Sequence, residues 1–335
     1  MRIGKVKESI LKRSVLRPLH HRDTVRPPAA GEDAGVLFVP ELSKEAGVTL
    51  RVHPVEGWTL APQRTVYGAV NSLIAARAVP KAISITILMP EETQEPQLKA
   101  LMKELDRLCA QEGIVLLSGH TAVSPYVETL IIAVTALGIR REIEIPSKLS
   151  PGLDLVVAGT VGREGAAMIA TEQADRLKNR YAPSYIETAK HFFEDGSMKR
   201  AAEILQKEKP EAVHAIREGG VFAGLWEMAA AGKVGLAVDL KSIPIRQHTI
   251  EVCEFFNLNP YMLRSGGTFL LACHNGPHMV HAFHKAGITA AVVGETTEGN
   301  DRVIRYDEEI RFLEPPKTDE YYKTIKNSWR KNDAS

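Results

Sequence analysis

The sequence predicts an α/β protein of two domains, and three observations carry that expectation. Apolar runs of strand length alternate with amphipathic helical stretches in both halves of the chain. A charged segment with two prolines and a glycine, residues 141–152, separates the halves as a linker would. The chain has 335 residues, enough for two separate cores. Its hydrophobic content of 44% and charged content of 25% are those of an ordinary soluble globular protein.

The elements follow in order. The first nineteen residues, MRIGKVKESILKRSVLRPL, are basic and amphipathic and lack the apolar core of a secretory signal. They predict a first helix that packs Ile10, Leu11, Val15 and Leu16. A proline- and glycine-marked loop, residues 22–35, leads to strands at 36–39 and 50–52. Residues 62–78 form a helix with Val66, Val70 and Leu73 on one stripe, and 83–88 a strand closed by Pro90. Leu98, Leu101, Leu105, Leu108 and Cys109 mark a strongly amphipathic helix over 94–111. Strands at 114–117 and 129–137 flank a loop, SGHTAVSPYVE.

The second half opens with a strand at 153–158, the glycine turn GTVGREG and a helix. A polar helical insert occupies 173–209. The stretch 214–245 then reads as strand end, Gly219-Gly220, helix, strand and turn. A helix at 247–256, a strand at 268–273, a helix at 277–286 and a strand at 289–294 complete the pattern. The domain bounds expected are 1–145 and 151–315, with 316–335, rich in Lys, Asp and Tyr, as a mobile tail.

Charge and cysteine usage exclude several function classes. Lys+Arg of 42 against Asp+Glu of 41 gives a net charge of +1, so no basic field points to nucleic acid or an anionic membrane. The longest apolar runs are strand length and too short to span a bilayer. The three cysteines, Cys109, Cys253 and Cys273, are odd in number and far apart, as expected of small buried hydrophobes in a reducing, cytoplasmic compartment.

Function-bearing signals are sparse. Gly219-Gly220 leaves the first N–H groups of a helix unobstructed, which suits a phosphate but equally suits a tight turn. Arg217 beside it either holds a phosphate without a metal or pairs with Glu218. His278 and His281 lie on one helical face near Cys273, His274 and His284. A solvated helix face is the expectation there, against a metal site. Trp58 and Trp226 could stack on a purine, although Trp226 falls with Leu225 and Met228 at an apolar position and is expected in the core.

Taken together, several short motifs resemble the family of aminoimidazole ribonucleotide (AIR) synthase and the hydrogenase maturation factor that acts as a carbamoyl dehydratase. Selenophosphate synthetase and thiamine-monophosphate kinase resemble it more distantly. The motifs are GEDAG (31–35), GAVNSL (68–73), SGHT (118–121), GTVGREG, HAIREGG, IPI (243–245), Asn259-Pro260, SGG (265–267) and VVGE (292–295). Their order matches the family from Gly4 to about Leu313. The resemblance implies an N-terminal domain that builds a dimeric β-barrel with a second subunit and a C-terminal α/β domain. ATP would lie in the cleft between them, with acidic residues holding Mg²⁺ on its phosphates.

The departures bear on that chemistry, because triphosphate and Mg²⁺ require several carboxylates. Against the family pattern, Asp33 keeps the first acidic position. His53, Ser72, His120 and Ala215 stand at the other four. Glu32 and Glu56 could supply carboxylates, and His53 with His120 could take a softer cation such as Zn²⁺ or Mn²⁺. The expectation is that the histidines only fill vacated space. The chain ends KNDAS, without the maturation factor's terminal cysteine.

The resemblance therefore implies nucleotide or phosphate contacts at Asp33, Asn71, Thr121, Arg217, Gly219 and Gly220. Asp33 is the one metal ligand expected. ATP and Mg²⁺ are the family's cofactors and are expected to bind weakly or not at all. The expected function is a nucleotide- or ligand-binding or regulatory subunit, as a homodimer or paired with an intact relative. The alternative is an ATP-dependent enzyme that phosphorylates an amide or hydroxyl oxygen.

Overall fold

Two sheets packed through one long helix make up the chain. The computed structural model describes residues 8–17, 35–38, 47–140 and 148–329. A single helical turn, α1 (Glu8–Ile10), runs into a wider π-type turn, Leu11–Leu16. The N-terminal sheet contains β1 (Gly35–Phe38), β2 (Gly47–Glu56), β3 (Val79–Met89), β4 (Val115–Val123) and β5 (Ile131–Arg140), in the order β1-β2-β5-β3-β4. Helices α2 (Ala61–Ala75) and α3 (Glu95–Glu112) cover one face.

The two helices differ for a reason visible in sequence. On α3 the buried residues Leu101, Leu105, Leu108 and Cys109 lie on one side. Its start is closed by a reciprocal Gln94–Gln97 capping box and its end by Gly113 at φ 73°. In contrast, α2 is buried nearly all round, from Val66 and Tyr67 through Val70, Leu73 and Ile74, as a helix between two layers must be. One apolar cluster joins its residues to Val156, Phe193 and Phe269 of the second domain.

That second domain runs β6 (Asp154–Ala158), α4 (Arg163–Glu172), α5 (Ala174–Leu177), α6 (Pro183–Lys190), α7 (Ala201–Glu208), β7 (Ala212–Ile216), α8 (Gly220–Gly232), β8 (Gly235–Asp239) and α9 (Gln247–Phe256). It continues with β9 (Thr268–Cys273), α10 (Gly276–Lys285), β10 (Ala290–Thr297), β11 (Arg302–Tyr306), β12 (Glu309–Phe312) and α11 (Tyr322–Trp329). The sheet order is β12-β11-β8-β10-β6-β9-β7. Cys109, Cys253 and Cys273 are buried and free. Burial pushes their thiols up to about 11, 12 and 11.

Several expectations need correction. The SGHTAV segment is not a loop: it continues β4, paired in parallel with β3 as far as Val123. Backbone pairing overrides the weak strand preference of its Ser and Gly. The short strand expected at 50–52 extends to ten residues because β5 pairs with it throughout. The β11–β12 hairpin was not expected at all.

The tail is docked rather than mobile over the described part: Asp319, Glu320, Tyr321 and Thr324 are buried. Val15 of the first helix is 47% exposed instead of packed. Trp226 lies at the margin of the core. Its Nε1 donates to Glu8 at 3.0 Å and Arg302 stacks on its ring at 3.8 Å. Among the described residues the N-terminal sheet is open, with β1 and β4 as its edges.

Candidate functional site

The site forms where β7 turns into α8. Gly219 at φ 83° and Gly220 at φ 65° make that turn, and only glycine fits it. A Cβ on Gly220 would lie 2.4 Å from the Tyr261 carbonyl oxygen. The Arg217 carbonyl accepts from the N–H groups of Gly220 and Ser265, both at 3.1 Å, and so ties the turn to the 265–267 loop. Ser265 Oγ in turn accepts from the Gly162 N–H at 2.7 Å, and Glu164 Oε2 accepts from the Gly266 N–H at 2.9 Å. The GTVGREG and SGG motifs thus hold one another and set the wall of the cleft.

The helix start already carries an anion. Asp319 Oδ2 accepts from the Gly219 N–H at 2.6 Å, and Oδ1 accepts from the Tyr321 N–H at 2.9 Å. Burial pushes the Asp319 carboxyl up to about 6, although Arg264 and the two N–H groups act in the other direction. Arg264 stands over the rings of Tyr321 and Tyr322 at 5.1 and 5.7 Å. Burial alone would lower Arg264, but Glu164 and Asp319 hold it above its ordinary value.

Arg64, from α2, adds a second buried guanidinium. Its Nε lies 3.5 Å from Glu164 Oε1, while Arg264 Nη1 is 3.9 Å from the same oxygen. Nη1 of Arg64 also donates to the Glu56 carbonyl at 2.7 Å.

The neighbouring wall comes from β2. His53 is buried against α2 and neither ring nitrogen has a hydrogen-bond partner. The approach is close: a Cβ on Gly68 would lie 2.8 Å from His53 Nε2. Burial holds its pKa well below the ordinary histidine value, and Arg217, Arg51 and Arg64 push it further down. The imidazole is therefore neutral and sits among cations. One turn along α2, Ser72 is wholly buried and its Oγ donates back to the Gly68 carbonyl at 2.8 Å.

The structure gathers only part of the expected set. Gly219, Gly220 and Arg217 form the turn just described. Asn71 faces the insert: its Nδ2 donates to the Gly196 carbonyl and its Oδ1 accepts from the Met198 N–H, both at 2.8 Å. Thr121 is exposed on β4, the far edge of the sheet. Asp33 and Glu32 lie outside the described residues.

Sheet register separates the two histidines. His53 shares a lateral row with Val134, Ile85 and Gly119 on the helix-covered face. His120 belongs to the next row, with Thr86, Ala133 and Pro54, on the opposite face. Three strand spacings, roughly 14 Å, also lie between them. They cannot share one cation within a chain.

His278 and His274 also have other partners, Glu208 at 2.9 Å and Glu211 at 3.4 Å. Among the described residues no three His, Cys, Asp or Glu side chains converge as a metal-binding group.

Arg64, Arg264, Glu164 and Asp319 were not singled out from sequence. Glu164 and Arg264 lie in or beside the quoted motifs GTVGREG and SGG, so a signal existed for them. Asp319 has no local pattern around it, and only the path of the chain brings it to Gly219.

Two α/β domains, with a glycine turn at the start of α8 tied to the 265–267 loop and to Asp319, define the class of fold. The chain belongs to the AIR synthase related family: residues 31–140 match its N-terminal domain and 150–307 its C-terminal domain. It is 23% identical over 272 residues to a putative hydrogenase expression/formation protein of Methanocaldococcus jannaschii, covering 76% of this chain and 78% of that one. The fold is similar to that of E. coli HypE, a hydrogenase maturation protein (TM-score 0.72, 20% identity, 86% of this chain and 92% of that one). It is also similar to a hydrogenase maturation protein HypE solved in complex with ATP (TM-score 0.70, 16% identity, 95% and 97%). Among the described residues no helix is long and apolar enough to cross a membrane.

Proposed function

We propose that this chain is an AIR synthase related protein with a degenerate Mg-ATP site, acting as a nucleotide- or anion-binding or regulatory subunit. The observation that carries the reading is the neutral imidazole of His53 among guanidinium groups. Where the family pattern calls for carboxylates, a neutral His53 lies among Arg217, Arg51 and Arg64, and a buried Ser72 bonds back to its own helix. Metal neutralisation is the main catalytic contribution in phosphoryl transfer. Guanidinium groups can instead hold a phosphate or carboxylate directly, through charge-assisted hydrogen bonds.

Calorimetric titration with ATP, in Mg²⁺ and again in EDTA, tests this. The expected result is weak binding with the same affinity in both. Micromolar affinity that depends on Mg²⁺ overturns it and favours the alternative, ATP-dependent phosphorylation of an amide or hydroxyl oxygen, which draws support from the ATP-bound relative.

The reading includes a dimer. The helix-free face of the N-terminal sheet carries Leu50, Val52, Pro54, Ala133, Thr86 and Leu88, with Val52 62% exposed. Such a contiguous apolar face on an open sheet suits association with a like sheet. Val52→Asp is expected to convert a dimer to a monomer, read as a halved mass in light scattering after size exclusion. An unchanged mass places the interface elsewhere.

A further inference from the structure

The docked C-terminal segment places a carboxyl group on the turn that starts α8. Asp319 is a carboxylate on a helix N-terminus, and it reaches there from 100 residues away in sequence. It is held by more than this one bond. Glu320 Oε2 accepts from the Asn259 N–H at 3.1 Å. The Tyr321 hydroxyl donates to both Glu172 oxygens, at 2.8 and 2.9 Å. The Tyr322 hydroxyl donates to Glu56 at 3.3 Å, which carries the segment across to the N-terminal domain.

A second, independent observation marks the subsite as one for a larger anion than Asp319 alone. Arg264 is buried, stands over the rings of Tyr321 and Tyr322 in the docked segment, and its Nε has no hydrogen-bond partner. A guanidinium has five N–H donors in a planar fork, so a tetrahedral phosphate or a second carboxylate oxygen could use what Asp319 leaves unmet.

We infer that residues 316–325 are a built-in competitor for this anion subsite. Asp319 takes the Gly219 N–H and the Tyr321 and Tyr322 rings cover Arg264, so a small molecule bearing a phosphate or carboxylate group must displace the segment to bind there. The inference rests on the reading that the cleft takes an anion without metal, and it adds that the chain itself masks the subsite. A ligand that binds only the undocked form has its apparent affinity reduced by the undocked fraction.

The experiment uses the full chain, pyrophosphate as the probe, EDTA throughout, and hydrogen exchange of residues 321–325 beside calorimetry. Pyrophosphate is expected to raise exchange at 321–325 in the unaltered protein. Asp319→Ala is expected to bind pyrophosphate about tenfold more tightly. Asp319→Asn keeps one acceptor, for the Gly219 N–H, and loses the one for the Tyr321 N–H, so its gain is expected to be smaller than that of Asp319→Ala. If pyrophosphate binds the unaltered protein with no change in exchange at 321–325, the segment is not a competitor and the inference fails, while the metal-free reading stands. If neither form binds pyrophosphate, the inference fails as well. In that case the ATP titration in Mg²⁺ and EDTA decides the broader reading separately. The exchange measurement needs no variant, so misfolding of Asp319→Ala leaves the test intact.

Discussion

Arg264→Leu is expected to destabilise the protein by about 3 kcal/mol, which corresponds to a fall in Tm of roughly 6–12 °C. Arg264 is buried between Glu164, Asp319 and the rings of Tyr321 and Tyr322. Removing it leaves two buried carboxylates short of a partner, and that residual charge costs more than the lost contact. Arg64 still reaches Glu164, which keeps the effect below that of an isolated buried ion.

A paired variant separates these contributions. Arg264→Leu with Glu164→Gln removes one orphaned charge while Gln still accepts from the Gly266 N–H, so part of the stability should return. Differential scanning calorimetry reads both. A single variant that melts with the unaltered protein would show that the cluster contributes nothing.

Raising the pH from 4 to 7.5 is expected to weaken docking of residues 316–325 by up to about 3 kcal/mol. The figure is the rise of the Asp319 carboxyl from 3.8 to about 6, at about 1.4 kcal/mol for each unit. The direction follows from which form binds the proton. The docked state has the higher pKa, so docking is fully favoured below about 4 and loses that contribution as pH rises through about 6.

The titratable and charged groups around Asp319 are Arg264, Glu218, Tyr322 and Cys253, whose thiol burial pushes up to about 12 and so keeps neutral. Arg264 stays charged across this range. Tyr322, pushed up to about 12 by burial, stays neutral. Glu218→Gln serves as the control for the remaining carboxylate. Exchange of residues 321–325, corrected for intrinsic chemical exchange, should rise with pH in the unaltered protein and be flat in Asp319→Asn. A flat profile in both would place the titration elsewhere.

Much of the fold was legible because its signals are local. The stripe on α3, with its capping box and terminal glycine, lies within twenty residues. The order of short glycine-bearing motifs pointed to the family although no single motif is specific. Edges failed where the deciding contact was remote. The SGHTAV segment reads as a loop by composition and becomes strand because β3 lies beside it. The 302–312 hairpin carries no turn signal strong enough to separate it from the loop before it.

The site divides along the same line. Sequence by itself determined that His53, Ser72, His120 and Ala215 stand in the short motifs, and under our proposal they replace family acidic positions, with Asp33 retained. It also determined that Gly219 and Gly220 begin a helix, since the glycine pair and the apolar run after it are contiguous. Only tertiary structure decided that His53 and His120 lie on opposite faces of a sheet, because register fixes facing and composition does not. Likewise, nothing around residue 319 announces a ligand. Its carboxylate meets the Gly219 N–H because the chain folds back across both domains, and burial beside Arg264 then decides what that carboxylate does.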